Sequence, residues 1–288
     1  MQELYVMLPM TDVWSAPDPE PERERLTQAL LGDRVTVVSE KPAWVYGRVA
    51  DGYLGWLARK SLTELAPAVG PHRVTVSAPL AELRRTSFAS FAAEPLFPSR
   101  AFLGTRLPGL ECVGQEVRVA LPGGCSAYLP LDRVSLEPNG GTENQACAAA
   151  SDLVLRYALA LLGAPYLWGG LTVEGIDCSG LVYVAYRTAG LDLPRDADQQ
   201  FACGLPLPEP LQPGDLVFFA TEEPGFPSHV GFYLGQRRFL HASSRLGGVV
   251  ITSLNAPYYR ERFLGARRLV GQEGFAAEEG EVTRRIIV

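Results

Sequence analysis

A polar, glycine-bearing stretch, Pro138-Asn139-Gly140-Gly141-Thr142, divides this 288-residue chain into halves of different periodicity, and that division limits the fold more than any other feature. Ahead of it, β-branched runs are short and broken by Gly, Pro and Asp. They cover Asp33 to Val38, Trp44 to Val49 and Gly52 to Leu57, then Glu116 to Leu121 and Ala127 to Pro130. Strands of that length and spacing suit small β-barrels. Residues 84–100, rich in Ser, Ala and Phe with two prolines, read as a long loop within the second barrel. Behind the stretch, Ala148 to Leu162 places Leu153, Tyr157 and Leu161 at helical spacing, and Gly163 and Pro165 stop the helix. The chain is also too long for one small core. The expectation is an α+β protein: one barrel at 1–66, a second at 70–138, a linker at 139–147, a mixed helix-and-sheet domain at 148–270 and a C-terminal tail at 271–288.

Composition excludes several classes of function. A net charge of −6 and the lack of any basic run argue against nucleic acid, because phosphate binding needs clustered Lys and Arg. No apolar stretch approaches the ~20 residues of a membrane helix, so no membrane insertion is expected. Met1 to Met10 lacks the basic start and apolar core of a signal peptide, which predicts a cytoplasmic location; secretion is the alternative if an export signal has been removed. The residues favour no particular oligomeric state.

Five cysteines at irregular spacing suggest neither a disulfide framework nor a zinc site, and no metal or other cofactor is expected. Cys112, Cys125, Cys147 and Cys203 read as small buried hydrophobes. Cys178 differs, because Asp177-Cys178-Ser179-Gly180 opens the apolar run Leu181 to Ala189 and Gly190 closes it. That puts Cys178 at a helix N-terminus, where unpaired N–H groups and the helix dipole favour a thiolate and lower its pKa. The same N–H groups can serve an oxyanion formed by attack on a carbonyl.

A nucleophilic cysteine needs a base, and there are three histidines. His72 stands alone near the start of the second barrel and reads as structural. His229 opens an alternating run to Leu234, and His241 lies in the next run, Phe239 to Ser243, across a turn centred near Gly235 and Gln236. Hairpin pairing about that turn sets the two histidines nearly opposite each other on one face.

Asp-Cys-Ser-Gly opening a helix, then Ser228-His229-Val230-Gly231-Phe232-Tyr233, then Leu240-His241-Ala242-Ser243, resembles the NlpC-type (NlpC/p60) family of bacterial cell-wall cysteine peptidases over about residues 147–270. Tyr166-Leu167-Trp168-Gly169-Gly170 and Pro194-Arg195-Asp196-Ala197 add to the match. The pair Gly55-Trp56 after Tyr53, with Leu31-Gly32-Asp33-Arg34-Val35 before it, resembles a bacterial SH3-like domain, and Tyr128-Leu129-Pro130 echoes it. The resemblance implies a papain-like fold, with helices packed on an antiparallel sheet behind two SH3-like barrels. It also implies a triad of Cys178 as nucleophile, His229 as base and His241 orienting that base.

Members with two such barrels are similar to γ-D-glutamyl-L-diamino acid endopeptidases, or dipeptidyl-peptidase VI, which cut murein stem peptides bearing a free N-terminal L-Ala. The resemblance therefore implies murein-peptide recycling, with Asp177 meeting the substrate ammonium; Asp177 fits an N-cap equally well. Ser179 matches a substrate hydrogen-bonding position or a second cap. Tyr166 matches a cleft-lining residue or a core tyrosine, and Tyr53 an amine-pocket residue or a barrel-core one. Arg195 and Asp196 fit a cleft rim or an ion pair and carry no catalytic assignment. An exported wall hydrolase and a non-catalytic peptide-binding module are the alternatives, and the presence of all three triad residues counts against the second.

Overall fold

The computed structural model describes residues 2–18, 22–85, 97–139, 147–207 and 210–269. The first sheet holds β1 (Glu3–Val6), β2 (Met10–Trp14), β3 (Arg25–Leu30), β4 (Arg34–Lys41), β5 (Trp44–Arg48), β6 (Leu54–Ala58) and β7 (Leu62–Thr63), in the order β3-β2-β6-β5-β4-β1-β7. Its strands alternate buried and half-buried residues, so Leu4, Val6, Val13, Val35, Val45 and Leu57 fill one core while Trp14, Tyr46 and Trp56 stand on the opposite face.

The second strand-rich unit runs through β8 (His72–Val76), β9 (Leu80–Glu82), β10 (Arg84–Arg85), β11 (Arg100–Phe102), β12 (Arg106–Val113), β13 (Glu116–Ala120), β14 (Ser126–Pro130) and β15 (Val134–Pro138). Six of these pair in the order β10-β14-β13-β12-β8-β15, and β9 pairs with β11. Leu31, on the turn after β3, is buried in this second core beside Val74, Val117 and Leu129, so the two strand-rich units share an apolar contact.

The remaining elements are α1 (Cys147–Leu159), β16 (Leu171–Thr172), β17 (Gly175–Ile176), α2 (Cys178–Thr188), α3 (Ala197–Cys203), β18 (Leu205–Leu207), β19 (Leu216–Phe219), β20 (His229–Gly235), β21 (Arg238–Ser243), β22 (Gly248–Ser253), α4 (Pro257–Arg260) and β23 (Phe263–Arg268). Their main sheet is antiparallel, in the order β18-β23-β19-β20-β21-β22. Helix α2 packs on β20 and β21, and every one of its residues is buried. A helix covered on all sides needs packing beyond the sheet, and α1 supplies it together with Leu103 and Gly104 of the second strand-rich unit.

Beside Leu103, the contact with the strand-rich units is polar. Arg187, 4 % exposed, pairs with Asp33 from the first sheet and donates through Nε to the Gly104 carbonyl of the second unit at 2.8 Å. Asp33 also accepts from Leu30 N–H at 2.9 Å, so one carboxylate both closes its own turn and meets the helix.

Several expectations shift. The first helix ends at Leu159, and Gly163, at φ 87°, turns the chain so that its N–H donates to Val249 on β22. The loop expected at 84–100 carries β10 and the start of β11 at its ends; 86–96 lie outside the described residues. Pro138 closes β15 by pairing with His72, while most of the expected linker (140–146) and the tail (270–288) lie outside the described residues. No helix among the described residues is long and apolar enough to cross a membrane.

Removing one member of a buried ion pair leaves the other charge uncompensated, which costs about 3–5 kcal/mol. Asp33→Ala is expected to lower unfolding free energy by that order in urea titrations, and Asp33→Ala with Arg187→Met is expected to lose less than Asp33→Ala alone. A double variant as unstable as the single one would show that the damage lies in the Leu30–Asp33 turn.

Candidate active site

Cys178 is the first residue of α2, and Asp177 caps the helix from an extended conformation, accepting from Gly180 N–H at 2.7 Å. The other Asp177 oxygen accepts from Gly169 N–H at 2.8 Å and from Arg195 Nη2 at 2.7 Å. Gly180 must be glycine here, because a Cβ would lie 2.4 Å from the Gly170 carbonyl oxygen. The loop before the nucleophile is thus pressed onto the first turn of its helix and held there by the cap.

Arg195, 1 % exposed, gathers the polar groups around that cap. Its Nη1 donates to Ser179 Oγ at 2.8 Å and its Nε to Thr27 Oγ1, from the first sheet, at 3.2 Å. Thr27 in turn donates to Asp51 Oδ2 at 2.6 Å. Next along the chain, Asp196 receives the Tyr53 hydroxyl at 2.7 and 2.5 Å to its two oxygens. The guanidinium faces three carboxylates, Asp177, Asp51 and Asp196. Burial raises Asp51 to about 6, with Thr27 opposing, and raises Asp196 to about 7, with Arg195 opposing.

The histidines come from neighbouring strands. Phe232 pairs with Leu240 and Tyr233 with Phe239, so His241 stands opposite Gly231 and His229 lies two residues further along on the same face, a diagonal neighbour where a nearly opposed pair was expected. The turn residues are Gln236 and Arg237, both at positive φ. Gly231 makes the diagonal contact possible, since a Cβ there would meet His241 Cβ at 2.9 Å. His229 Nε2 lies 2.8 Å from His241 Nδ1, and His241 Nε2 lies 2.9 Å from Thr252 Oγ1 on β22.

If His229 Nδ1 is to take a proton, Nε2 carries one and donates it to His241 Nδ1, which leaves the His241 proton on Nε2 facing Thr252. Phe239 stacks on His241 at 4.4 Å, and Tyr259 sits edge-on at 5.0 Å. Burial in this aromatic wall lowers His229 to about 4, and burial with the neighbouring ring lowers His241 to about 2. Both rings are therefore neutral at rest.

The thiol is neutral at rest as well. Burial, then the Asp177 carboxylate, raises Cys178 to about 12, against which the N–H groups of Val230 and Ser179 pull weakly. The low thiol pKa expected from the helix N-terminus is corrected: the dipole is present, but desolvation outweighs it.

The expected substrate contacts sit in one network. Asp177 is the helix cap expected, and its two oxygens accept from Gly180, Gly169 and Arg195, with Ser179 at 3.4 Å. Ser179 is buried inside that same network, its Oγ accepting from Arg195. The Tyr53 ring packs on the first core and its hydroxyl donates to Asp196. Tyr166 packs partly buried against the α2 core, and burial followed by Cys178 and Asp177 raises its phenol, keeping it a donor.

Asp196 and Thr252 are the groups the sequence did not assign. The Arg195-Asp196 dipeptide was a visible signal for the first; nothing short of strand register could have found the second. His72 lies on β8, away from these groups. Cys112 and Cys125 are exposed rather than buried, Cys203 is part-buried, and the Cys147 side chain lies outside the described residues. No group of three or more His, Cys, Asp or Glu among the described residues could hold a metal ion.

Comparison with known proteins bears on the same groups. The NlpC/P60 family model matches residues 163–268, and the bacterial dipeptidyl-peptidase Sh3 domain matches residues 17–62. The chain is 36 % identical over 259 residues to a gamma-D-glutamyl-L-lysine dipeptidyl-peptidase of Bacillus cereus, covering 84 % of this chain and 74 % of that one. It is 32 % identical to the Bacillus subtilis protein of that name, covering 84 % of this chain and 80 % of that one. The crystal structure of an NlpC/P60 family protein from Bacillus cereus superposes with a TM-score of 0.82 at 27 % identity, covering 93 % of this chain and all of that one.

Alkylation of Cys178 by iodoacetamide should still be rising above about pH 8.5, the value of an ordinary thiol. Peptide mass spectrometry separates it from the exposed Cys112 and Cys125. A rate that levels off below about pH 7 would instead show a resting thiolate–imidazolium pair.

Proposed function

The chain belongs to the NlpC/P60 family of cysteine peptidases, and on that premise we propose that it hydrolyses the γ-D-glutamyl bond to a diamino acid in murein stem peptides whose N-terminal L-Ala is free. The observation that carries the substrate assignment is the charge around Arg195, one guanidinium facing three carboxylates. Two of those carboxylates are raised by burial, so ionising them costs free energy that a nearby cation returns. A substrate ammonium at Asp196 and Tyr53 supplies that cation. Asp196 thus joins Asp177, the carboxylate first expected to meet the ammonium.

The reaction is acyl transfer. His229 Nδ1 takes the thiol proton as Cys178 Sγ attacks the γ-carbonyl carbon of D-Glu. N–H groups at the N-terminus of α2 and the Tyr166 hydroxyl are the donors for the oxyanion. The tetrahedral adduct collapses to a thioester as His229 returns the proton to the leaving amine of the diamino acid. Water then attacks the thioester, His229 takes its proton, and a free γ-carboxylate leaves with the thiol restored. His241 and Thr252 keep the proton of His229 on Nε2, so that Nδ1 is the nitrogen left to take the thiol proton. Because a free L-Ala amine exists only after the peptide has been separated from its sugar, this reading places the enzyme in the recycling of released peptides.

The test is the amine. L-Ala-γ-D-Glu-L-Lys should be cleaved, and its N-acetylated form should lose at least about a hundredfold in kcat/KM. For the free peptide, kcat/KM should rise with pH through about 7 as Asp196 ionises. It should fall above about 8 as the peptide amine loses its proton. Asp196→Asn should remove the acid limb and shrink the preference for the free amine. Equal rates on free and capped peptides would reject the pocket and leave a general wall-peptide hydrolase.

A further inference from the structure

The first strand-rich unit does more than wall the pocket. Tyr53 opens onto Asp196 from the end of the β5–β6 turn, and Thr27, fully buried on β3, touches Arg195. These two contacts come from a turn and from β3 and reach successive residues of the catalytic domain, so something must hold their spacing. Asp51 joins them: its Oδ1 accepts from Tyr53 N–H at 3.0 Å and its Oδ2 from the Thr27 hydroxyl at 2.6 Å. The turn around it is fixed by Gly52 at φ 90°, with Gly52 N–H donating to the Val49 carbonyl at 3.0 Å and Val49 N–H to the Tyr53 carbonyl at 2.9 Å.

The chain of hydrogen bonds has a forced direction. A guanidinium only donates, so Arg195 Nε gives its proton to Thr27 Oγ1, and the Thr27 hydroxyl must pass its own on to Asp51. Two donors therefore converge on the Asp51 side chain, and only a carboxylate answers both. An asparagine of nearly the same shape offers one oxygen and one NH₂. Either Tyr53 N–H or the Thr27 hydroxyl would then face another donor.

We propose that Asp51 is a positioning residue for the amine pocket: by accepting from Tyr53 and Thr27 together, it fixes the Tyr53 hydroxyl against Asp196. It touches no reacting atom and acts through Tyr53, while Arg195 keeps its bonds to Asp177, Ser179 and Gly170 without it. This rests on the reading of Asp196 and Tyr53 as the site of the substrate ammonium. The consequence is specific. Loosening Asp51 misplaces the amine end of the substrate while leaving Cys178, His229 and His241 where they are, so recognition suffers more than chemistry.

The experiment compares the full chain with its Asp51→Asn variant on L-Ala-γ-D-Glu-L-Lys and on the N-acetylated peptide, alongside iodoacetamide alkylation of Cys178 as a measure of the nucleophile alone. In the variant, KM for the free peptide should rise about tenfold, the loss of roughly one hydrogen bond, with kcat changed by less than about threefold and alkylation unaltered. The preference for the free amine should fall with it. Binding of the γ-linked L-Ala-D-Glu product to the Cys178→Ala protein, by calorimetry, should weaken by a similar factor on adding Asp51→Asn.

An unchanged KM in a folded Asp51→Asn protein overturns the proposal, as does a fall in kcat and alkylation with KM held, which would mark a general disturbance of the helix. If circular dichroism shows that Asp51→Asn does not fold, the near-isosteric Thr27→Val, which removes the Thr27 donor to Asp51 and keeps the Tyr53 arm, is read in the same way. An unaltered chain that cleaves free and capped peptides alike rejects the function proposed above. An unaltered chain that discriminates, with a variant that discriminates equally, rejects only the role of Asp51.

Discussion

The ion pair between Asp177 and Arg195 is the contact on which the rest of the site depends. Its carboxylate caps the helix that begins with Cys178, so the pair fixes where the sulfur stands. A buried ion pair is seldom a net source of stability, because desolvation of both ions offsets their attraction. Here it is retained with its hydrogen-bond capacity filled, by Gly169 and Gly180 on the acid and by Ser179, Thr27 and Gly170 on the base. What such an arrangement supplies is a single geometry. Every donor has one acceptor position, so the first turn of α2 and the loop before it have little room to rearrange.

The same logic makes the strand-rich units part of the catalytic structure. Helix α2 is buried on every side, with the six-stranded sheet behind it and polar anchors at both of its ends. At the N-terminal end the anchor runs through Arg195 to Thr27, and at the C-terminal end through Arg187 to Asp33. Directed hydrogen bonds fix an angle and a register that apolar contact alone leaves loose. The first unit thus contacts the polar groups at both ends of the helix that begins with Cys178.

Much of this could be read from the residues, and the parts that could not have physical reasons. The strands from Arg34 to Ala58 and from Glu116 to Pro130 announce themselves by alternation and turn residues. Those of the first thirty residues do not, because Thr11, Asp12, Thr27 and Gln28 are polar groups turned inward or toward the catalytic domain, which erases the apolar–polar period. Asp177 was readable as a cap, since one residue and its neighbour decide that. Its saturation was not, because three of the donors on it come from Gly169, Gly180 and Arg195 folded around it. The helix position of Cys178 was readable, but the sign of its pKa shift was not: the dipole is a property of the local chain, whereas desolvation is a property of everything packed above it.

That desolvation bears on how the site works. A thiol and two imidazoles that are all neutral at rest carry no charge to be solvated, so the aromatic wall of Phe219, Phe239 and Tyr259 can close around the histidines at little electrostatic cost. Under the proposed mechanism the cost is deferred to the moment of attack, when sulfur becomes anionic and His229 cationic. The Asp177 carboxylate, which raises the thiol, then opposes the reaction, and Arg195 opposes Asp177 in turn. Under the proposed reading, an ammonium held at Asp196 brings positive charge to the same cluster, where it offsets the carboxylates that disfavour the thiolate. The amine of the substrate would then serve recognition and chemistry through one field, and a peptide lacking it would meet a nucleophile that remains a thiol.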